Sequence, residues 1–160
     1  MRQIEFETTV ARGGRDRVTV PVPFDPDQLW GAKARHHVTG TVSGMRVRAV
    51  IEPLGGGFGF VLGPAWRRDC GVDVGDRVLV SLVPEGPQRA DLPADFAEAL
   101  DANPAAGQFF DALAQFYRRA YLRWIEATKR SPDKRAERIA TVVQLLADGH
   151  KARPDPKAAD

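Results

Sequence analysis

Cysteine is nearly absent from this chain: Cys70 is the only one in 160 residues. No internal disulfide can form, and no cysteine cage for zinc exists. A lone thiol suits a reducing compartment. Histidine is almost as scarce, with three in the chain. His36 and His37 are adjacent, and neighbours on a strand point to opposite faces, so one metal ion cannot take both. His150 lies near the end of the sequence. Neither a metal site nor a cofactor is expected. Excess charge of one sign is also missing. The net charge is +2, far from the strongly basic balance of a typical DNA binder. No uninterrupted apolar run approaches the roughly 20 residues that a membrane helix needs. The opening residues, Met1-Arg2-Gln3-Ile4-Glu5-Phe6, lack the apolar stretch of a secretory signal. These absences lead us to expect a soluble, cytoplasmic protein without membrane insertion.

What is present divides into two halves. From about residue 3 to 83 the pattern has period two: Ile4, Phe6, Thr8 and Val10, then Val18, Val20 and Val22, then Val38, Gly40 and Val42. Val47, Ala49 and Ile51 follow, and last Val78, Val80 and Leu82. Such alternation marks strands with one buried face. Turn signals separate them at Gly13-Gly14, Ser43-Gly44, Gly55-Gly56-Gly57 and Gly75-Asp76. Short strands at this spacing predict a small closed β-barrel. Short helical turns are expected from Pro26 to Trp30 and from Pro64 to Asp69.

From residue 92 the period becomes helical. Leu92-Pro93, Asn103-Pro104 and Ser131-Pro132 read as helix starts, since proline fits the first helical position and Asn and Ser cap the free amides. A break is expected near Ala114-Gln115, and Gly149 reads as the left-handed close of the last helix. The class is therefore α+β. The boundaries are a barrel over 1–84, a linker over 85–91, a small helical bundle over 92–150, and a disordered tail over 151–160.

In the last helix, Ile139, Val142, Val143 and Leu146 share a face with Arg135. A guanidinium on an apolar line near a helix N-terminus needs compensation. One reading is an internal salt bridge to Asp95, Asp111 or Glu126. The other is an anion site for a ligand or partner, using the arginine fork. In the preceding helix, Leu113, Tyr117, Ala120 and Trp124 form an apolar face, with Leu122 and Ile125 nearly opposite. Tyr121 and Trp124 read as core aromatics. Arg118, Arg119 and Arg123 read as a solvated flank, with nucleic-acid contact as the alternative. In the barrel, the exposed phase of the central hairpin offers His37, Thr39 and Thr41 facing Arg46 and Arg48. A two-stranded ribbon of this kind can enter a major groove, although Glu5, Glu7, Asp25, Asp27 and Glu52 dilute the charge.

No catalytic residue is assigned. Cys70 and Ser43 would each need an oriented histidine, and Cys70 reads as a small buried filler. Gly55-Gly56-Gly57-Phe58-Gly59 lacks the Lys-Ser or Lys-Thr of a phosphate loop and reads as a hairpin turn or bulge.

Two resemblances follow from particular residues. Leu92-Pro93-Ala94-Asp95-Phe96, Tyr121-Leu122-Arg123-Trp124-Ile125 and Arg135-Ala136-Glu137-Arg138-Ile139 resemble the YdeI/OmpD-associated, or bacteriocin-protection-like, family. Lys134 stands where that family usually has threonine, and Ser131 looks like an insertion, while Arg135 and Arg138 are retained. Gly71-Val72-Asp73-Val74-Gly75-Asp76, leading into Val78-Leu79-Val80-Ser81-Leu82, is similar to the uncharacterised barrel domain commonly fused before such modules. It is more distantly similar to the double-split barrels of AbrB-like transcription factors. The resemblance implies a bacterial helical module without an established active site, and it alone suggests stress or envelope tolerance. With no reactive constellation in the residues, we expect a non-enzymatic binding module for a protein or small-molecule ligand, with Arg135, Arg138, Arg119, Arg123, Arg46, Arg48 and His37 as candidate contacts. Nucleic-acid binding through the hairpin and helix arginines is the alternative, and an enzyme using the barrel mouth is a third reading.

Overall fold

A computed structural model describes residues 3–128 and 130–154. The chain divides into two compact units, Met1–Glu85 and Gly86–Asp160.

The first unit is a nearly closed antiparallel barrel with strand order β1-β7-β4-β5-β6-β3-β2. The strands are β1 (Ile4–Thr9), β2 (Ala11–Arg12), β3 (Val18–Val22), β4 (His36–Val42), β5 (Met45–Leu54), β6 (Gly57–Leu62) and β7 (Arg77–Pro84). Closure depends on one extended segment. Residues 4–9 pair with β7, and residues 11–12 pair with β3 at the opposite end of the sheet. Val10 is the pivot between them. It is almost fully buried, and its backbone amide and carbonyl bond Asp76 and Gly75 at 2.9 and 2.8 Å. One segment thereby satisfies both sheet edges, which an open sheet would leave unpaired.

The alternating residues line the interior: Val18, Val20, Val38, Val42, Val78, Val80 and Leu82 are all buried. Each such side chain contributes about 1.5–3 kcal/mol relative to an exposed one. Ser43-Gly44 turns β4 into β5, and Gly55-Gly56 turns β5 into β6. All four residues have positive φ, as the tight turns that match strand twist require. The two short helices are α1 (Pro26–Trp30) and α2 (Pro64–Cys70). Cys70 packs half-buried against the barrel core rather than fully inside it.

Two strands went unread in the sequence, the two-residue β2 and the longer β6. Gly57–Leu62, inside and beyond the glycine cluster, is β6, paired with both β3 and β5. Only Gly55 and Gly56 form the turn. Gly59 has no side chain because the Val20 carbonyl and the Leu54 side chain occupy the space a Cβ would need. The readable signal was the period-two run Phe58, Phe60, Leu62.

The second unit contains α3 (Ala94–Asp101), α4 (Pro104–Ala112), α5 (Gln115–Glu126) and α6 (Pro132–Ala147). Its core joins Phe96, Leu100, Phe110, Tyr121, Ile125, Val142 and Leu146. Phe96 and Phe110 meet edge to face at 5.7 Å between centroids. Asn103 caps α4 by accepting from the Ala106 amide at 3.2 Å. The Ser131 side chain makes no such bond. α6 ends with Gly149 at φ 82°, where the Gly149 and His150 amides return to the Leu146 and Leu145 carbonyls. This double bond closes the helix by the left-handed glycine route. Among the described residues, no helix is long and apolar enough to cross a membrane.

The α5 reading needs correction. Its buried line is Arg118, Tyr121 and Ile125, not Tyr117, Ala120 and Trp124. Leu113 is not part of α5 at all; it is the extended residue that ends α4. Arg118, read as solvated, is 2% exposed. Its Nη1 donates to the Pro87 carbonyl at 2.9 Å, and its Nη2 donates to the Asp111 carbonyl. The guanidinium also lies 5.3 Å from the Phe110 ring centroid. Asp111 is in the last turn of α4, where unpaired carbonyls and the helix dipole favour a cation.

Residues 85–91, read as a linker, are tied down at both ends. The Glu85 side chain is 3% exposed and Arg48 grips it at 3.0 and 3.1 Å. Pro87 and Arg89 bond within the second unit, where Arg89 forks onto Asp111 at 3.0 Å and reaches Asp101 at 2.7 Å. Of the tail, residues 155–160 lie outside the described residues. Residues 151–154 run along α5, with Arg153 over the Trp124 ring at 4.3 Å.

Candidate functional site

α3 and α6 each bury one side in the core and turn a second side towards a groove between them. On α3, Phe96 and Leu100 point inward, while Asp95, Ala99 and the following Ala102 and Asn103 line the groove. On α6, Val142 and Leu146 are buried, and Arg135, Ala136, Ile139, Ala140 and Val143 line the facing wall. The groove has a volume of about 620 Å³. Alanines occupy much of its surface, which is why two helices this close leave a depression rather than interlocking side chains.

A charged cluster stands at one end. Arg135 Nε and Nη2 donate to the two Asp95 carboxylate oxygens at 2.6 and 3.0 Å. Its Nη1 and Nη2 also donate to Glu126 Oε1 at 3.2 and 3.3 Å. The Arg135 side chain is 17% exposed, with Asp95 at 50% and Glu126 at 30%. The hydrogen bonds from Arg135 hold the Asp95 carboxyl below the usual carboxylate range, and the Phe96 amide assists. Asp95 in turn raises the Arg135 guanidinium above its ordinary value. Asp111, the third partner considered from the sequence, belongs to Arg89 instead. The fork of Arg135 faces two carboxylates, so an incoming anion would have to displace them.

The other predicted contacts scatter. Arg138 donates from Nη1 to the Trp124 carbonyl at 2.6 Å and stacks over the Trp124 ring at 4.6 Å. It thereby satisfies a carbonyl in the last turn of α5. Tyr121 is buried, and its hydroxyl donates to the His150 carbonyl at 2.7 Å. Trp124 is half-buried between α6 and the tail. Arg119 and Arg123 are exposed on α5. In the barrel, Thr39 faces Arg48 and Thr41 faces Arg46 across the β4–β5 pair, while His37 faces Val50. Arg48 is committed to Glu85, which raises its ionisation range. His36 turns inward, and its Nε2 meets Asp27 Oδ1 at 2.5 Å. Among the described residues, no group of three or more His, Cys, Asp or Glu is arranged to hold a metal ion.

Sequence reasoning missed the groove itself. Its signal was the small-residue pattern Ala99, Ala102, Ala136 and Ala140, which helical periodicity counts as weakly apolar and does not distinguish from core. It also missed Arg89 and Arg118, whose partners are backbone atoms and carboxylates outside their own helices.

Two family models match. Residues 6–82 match a domain of unknown function (DUF1905). Residues 89–149 match the family described as bacteriocin-protection, YdeI or OmpD-associated. No curated protein matches the chain. The barrel and the helices thus correspond in order to the two models, a DUF1905 domain over residues 6–82 followed by a YdeI/OmpD-associated region over residues 89–149.

Proposed function

We propose that the protein is a non-enzymatic binding module whose ligand, a small and largely apolar molecule with one hydrogen-bonding end, occupies the α3–α6 groove. The observation that carries this reading is the groove's build. About 620 Å³ lies within the range of small-molecule sites. The lining is mainly alanine, isoleucine and valine, with polar groups confined to Asp95 and Arg135 at one end and Asn103 and Gln144 elsewhere. Apolar walls with a few fixed polar groups favour an oily body and orient its polar end. A role in stress or envelope tolerance would follow from the matched family's description alone.

The test uses Nile red as an uncharged apolar probe on the full chain. Saturable fluorescence enhancement, lost in Ala140→Phe and Ala99→Phe variants that remain folded by circular dichroism, is expected. Enhancement that survives both groove-filling changes, or none in the wild type, would refute the reading.

A further inference from the structure

We propose that the outer face of α5, together with residues 151–153, is a contact surface for single-stranded nucleic acid. This inference does not rest on the groove reading. Phe116 is 69% exposed, an unusual position for a ring. Arg119 and Arg123 follow it at three and seven positions, so all three share one stripe of the helix. Both arginines are exposed, and neither makes an ion pair among the described residues. They stand four apart, where like charges weaken a helix. The nearest acid at helical spacing, Glu126, already serves Arg135. Among the described residues, no ion pair offsets this repulsion.

The neighbouring stripe adds to the same surface. Tyr117 and Trp124 carry the tail's cations: Lys151 lies 6.0 Å over the Tyr117 ring and Arg153 4.3 Å over Trp124. The tail is held there by the Tyr121 hydroxyl bonding to the His150 carbonyl. Two exposed arginines therefore share a stripe with an exposed ring, and two more cations lie over the rings of the neighbouring stripe. Cations along a groove with a ring for base stacking are how proteins hold single strands without reading sequence. A duplex would hide the bases from Phe116. An acidic protein would use the arginines but would gain little from the ring.

The experiment follows fluorescence anisotropy of a short labelled oligothymidylate with the full chain as salt is raised, with polyglutamate as the comparison polyanion. Binding at low salt is expected, weakening steeply as salt rises. Arg119→Ala with Arg123→Ala should reduce the slope of log affinity against log salt by about 1.4, since each phosphate contact contributes about 0.7 for single strands. Phe116→Ala should weaken binding roughly fivefold or more and leave the slope unchanged. These are surface changes, and circular dichroism checks that each variant is folded. No binding at low salt by the folded wild type overturns the inference, as does a double variant that binds like wild type. Equal affinity for polyglutamate, with Phe116→Ala without effect, would assign the surface to an acidic protein and also overturn it.

Discussion

Asp95 and Arg135 meet as a fork across the first turns of α3 and α6, with Nε to Oδ2 at 2.6 Å and Nη2 to Oδ1 at 3.0 Å. Arg135 is mostly buried, while Asp95 remains half exposed. Water screens one side of the pair, so its worth falls below that of a fully buried ion pair. Arg135→Ala should destabilise the helical unit by about 2 kcal/mol. Urea denaturation followed through Trp124, with Trp30 and Trp66 replaced by phenylalanine, measures it. Arg135→Lys should lose much of the same stability, because an ammonium cannot fork.

The same pair sets an acid dependence. The Asp95 carboxyl in the folded chain lies below its ordinary value of 3.8, chiefly through the Arg135 hydrogen bonds. A depressed carboxylate contributes stability that is present above the ordinary value and is lost as pH falls through the folded one. The wild type should therefore lose stability more steeply below about pH 4 than Asp95→Asn does. Acid titration of the helical circular dichroism signal compares the two.

Arg48 and Glu85 form an unequal pair: the arginine side chain is 58% exposed and the carboxylate 3%. Arg48→Ala leaves a buried carboxylate without its fork and should cost about 2 kcal/mol. Glu85→Gln in the Arg48→Ala background should restore part of that loss, because the buried group is then neutral. A double-mutant cycle on barrel unfolding reads the coupling.

Arg118→Met keeps the length of the side chain but leaves the Pro87 and Asp111 carbonyls without their donor. Each partly buried acceptor left without its donor costs about 1–2 kcal/mol. A loss of about 3 kcal/mol in the helical unit is expected, larger than for Arg135→Ala. The same denaturation experiment ranks the two.

Gly40 and Gly107 should respond differently to alanine. A Cβ at Gly40 would run into the Ser81 backbone carbonyl, which the β4–β7 pairing fixes in place. Gly40→Ala should cost about 3 kcal/mol or prevent barrel folding. At Gly107 the obstacle is the end of the Arg89 side chain, which can swing away from Asp111. About 1 kcal/mol is expected there. Thermal unfolding of the two variants separates rigid from yielding neighbours.

Much of the barrel could be read in advance because its strands are amphipathic, and alternation at Val78-Val80-Leu82 reports burial directly. β6 escaped because its period-two run Phe58, Phe60, Leu62 begins inside the glycine cluster that reads as a turn, and the role of Gly59 depends on a neighbouring strand. The two-residue β2 is too short to show a period. Helix starts at Asn103 and Ser131 were visible in capping chemistry, although only Asn103 uses its side chain.

The candidate site was less legible. Arg135 stood out because it interrupts an apolar line on its own helix. Arg118 did not, since periodicity placed the α5 stripe on Tyr117 and Trp124, while the packing turned the helix to bury Arg118, Tyr121 and Ile125. A charge compensated by carbonyls from residues 87 and 111 leaves no mark in local sequence. Groove-forming alanines are equally silent, because a depression is a property of two helices and not of either one.

The Arg118 contact with Pro87 has a practical consequence for dissecting the chain. Excising the helices at Leu92, where their amphipathic pattern begins, would remove the acceptor for one Arg118 donor and the whole Arg89 fork. An excised piece that starts at Gly86, the first residue of the second unit, retains both, and the inner guanidinium keeps its wiring.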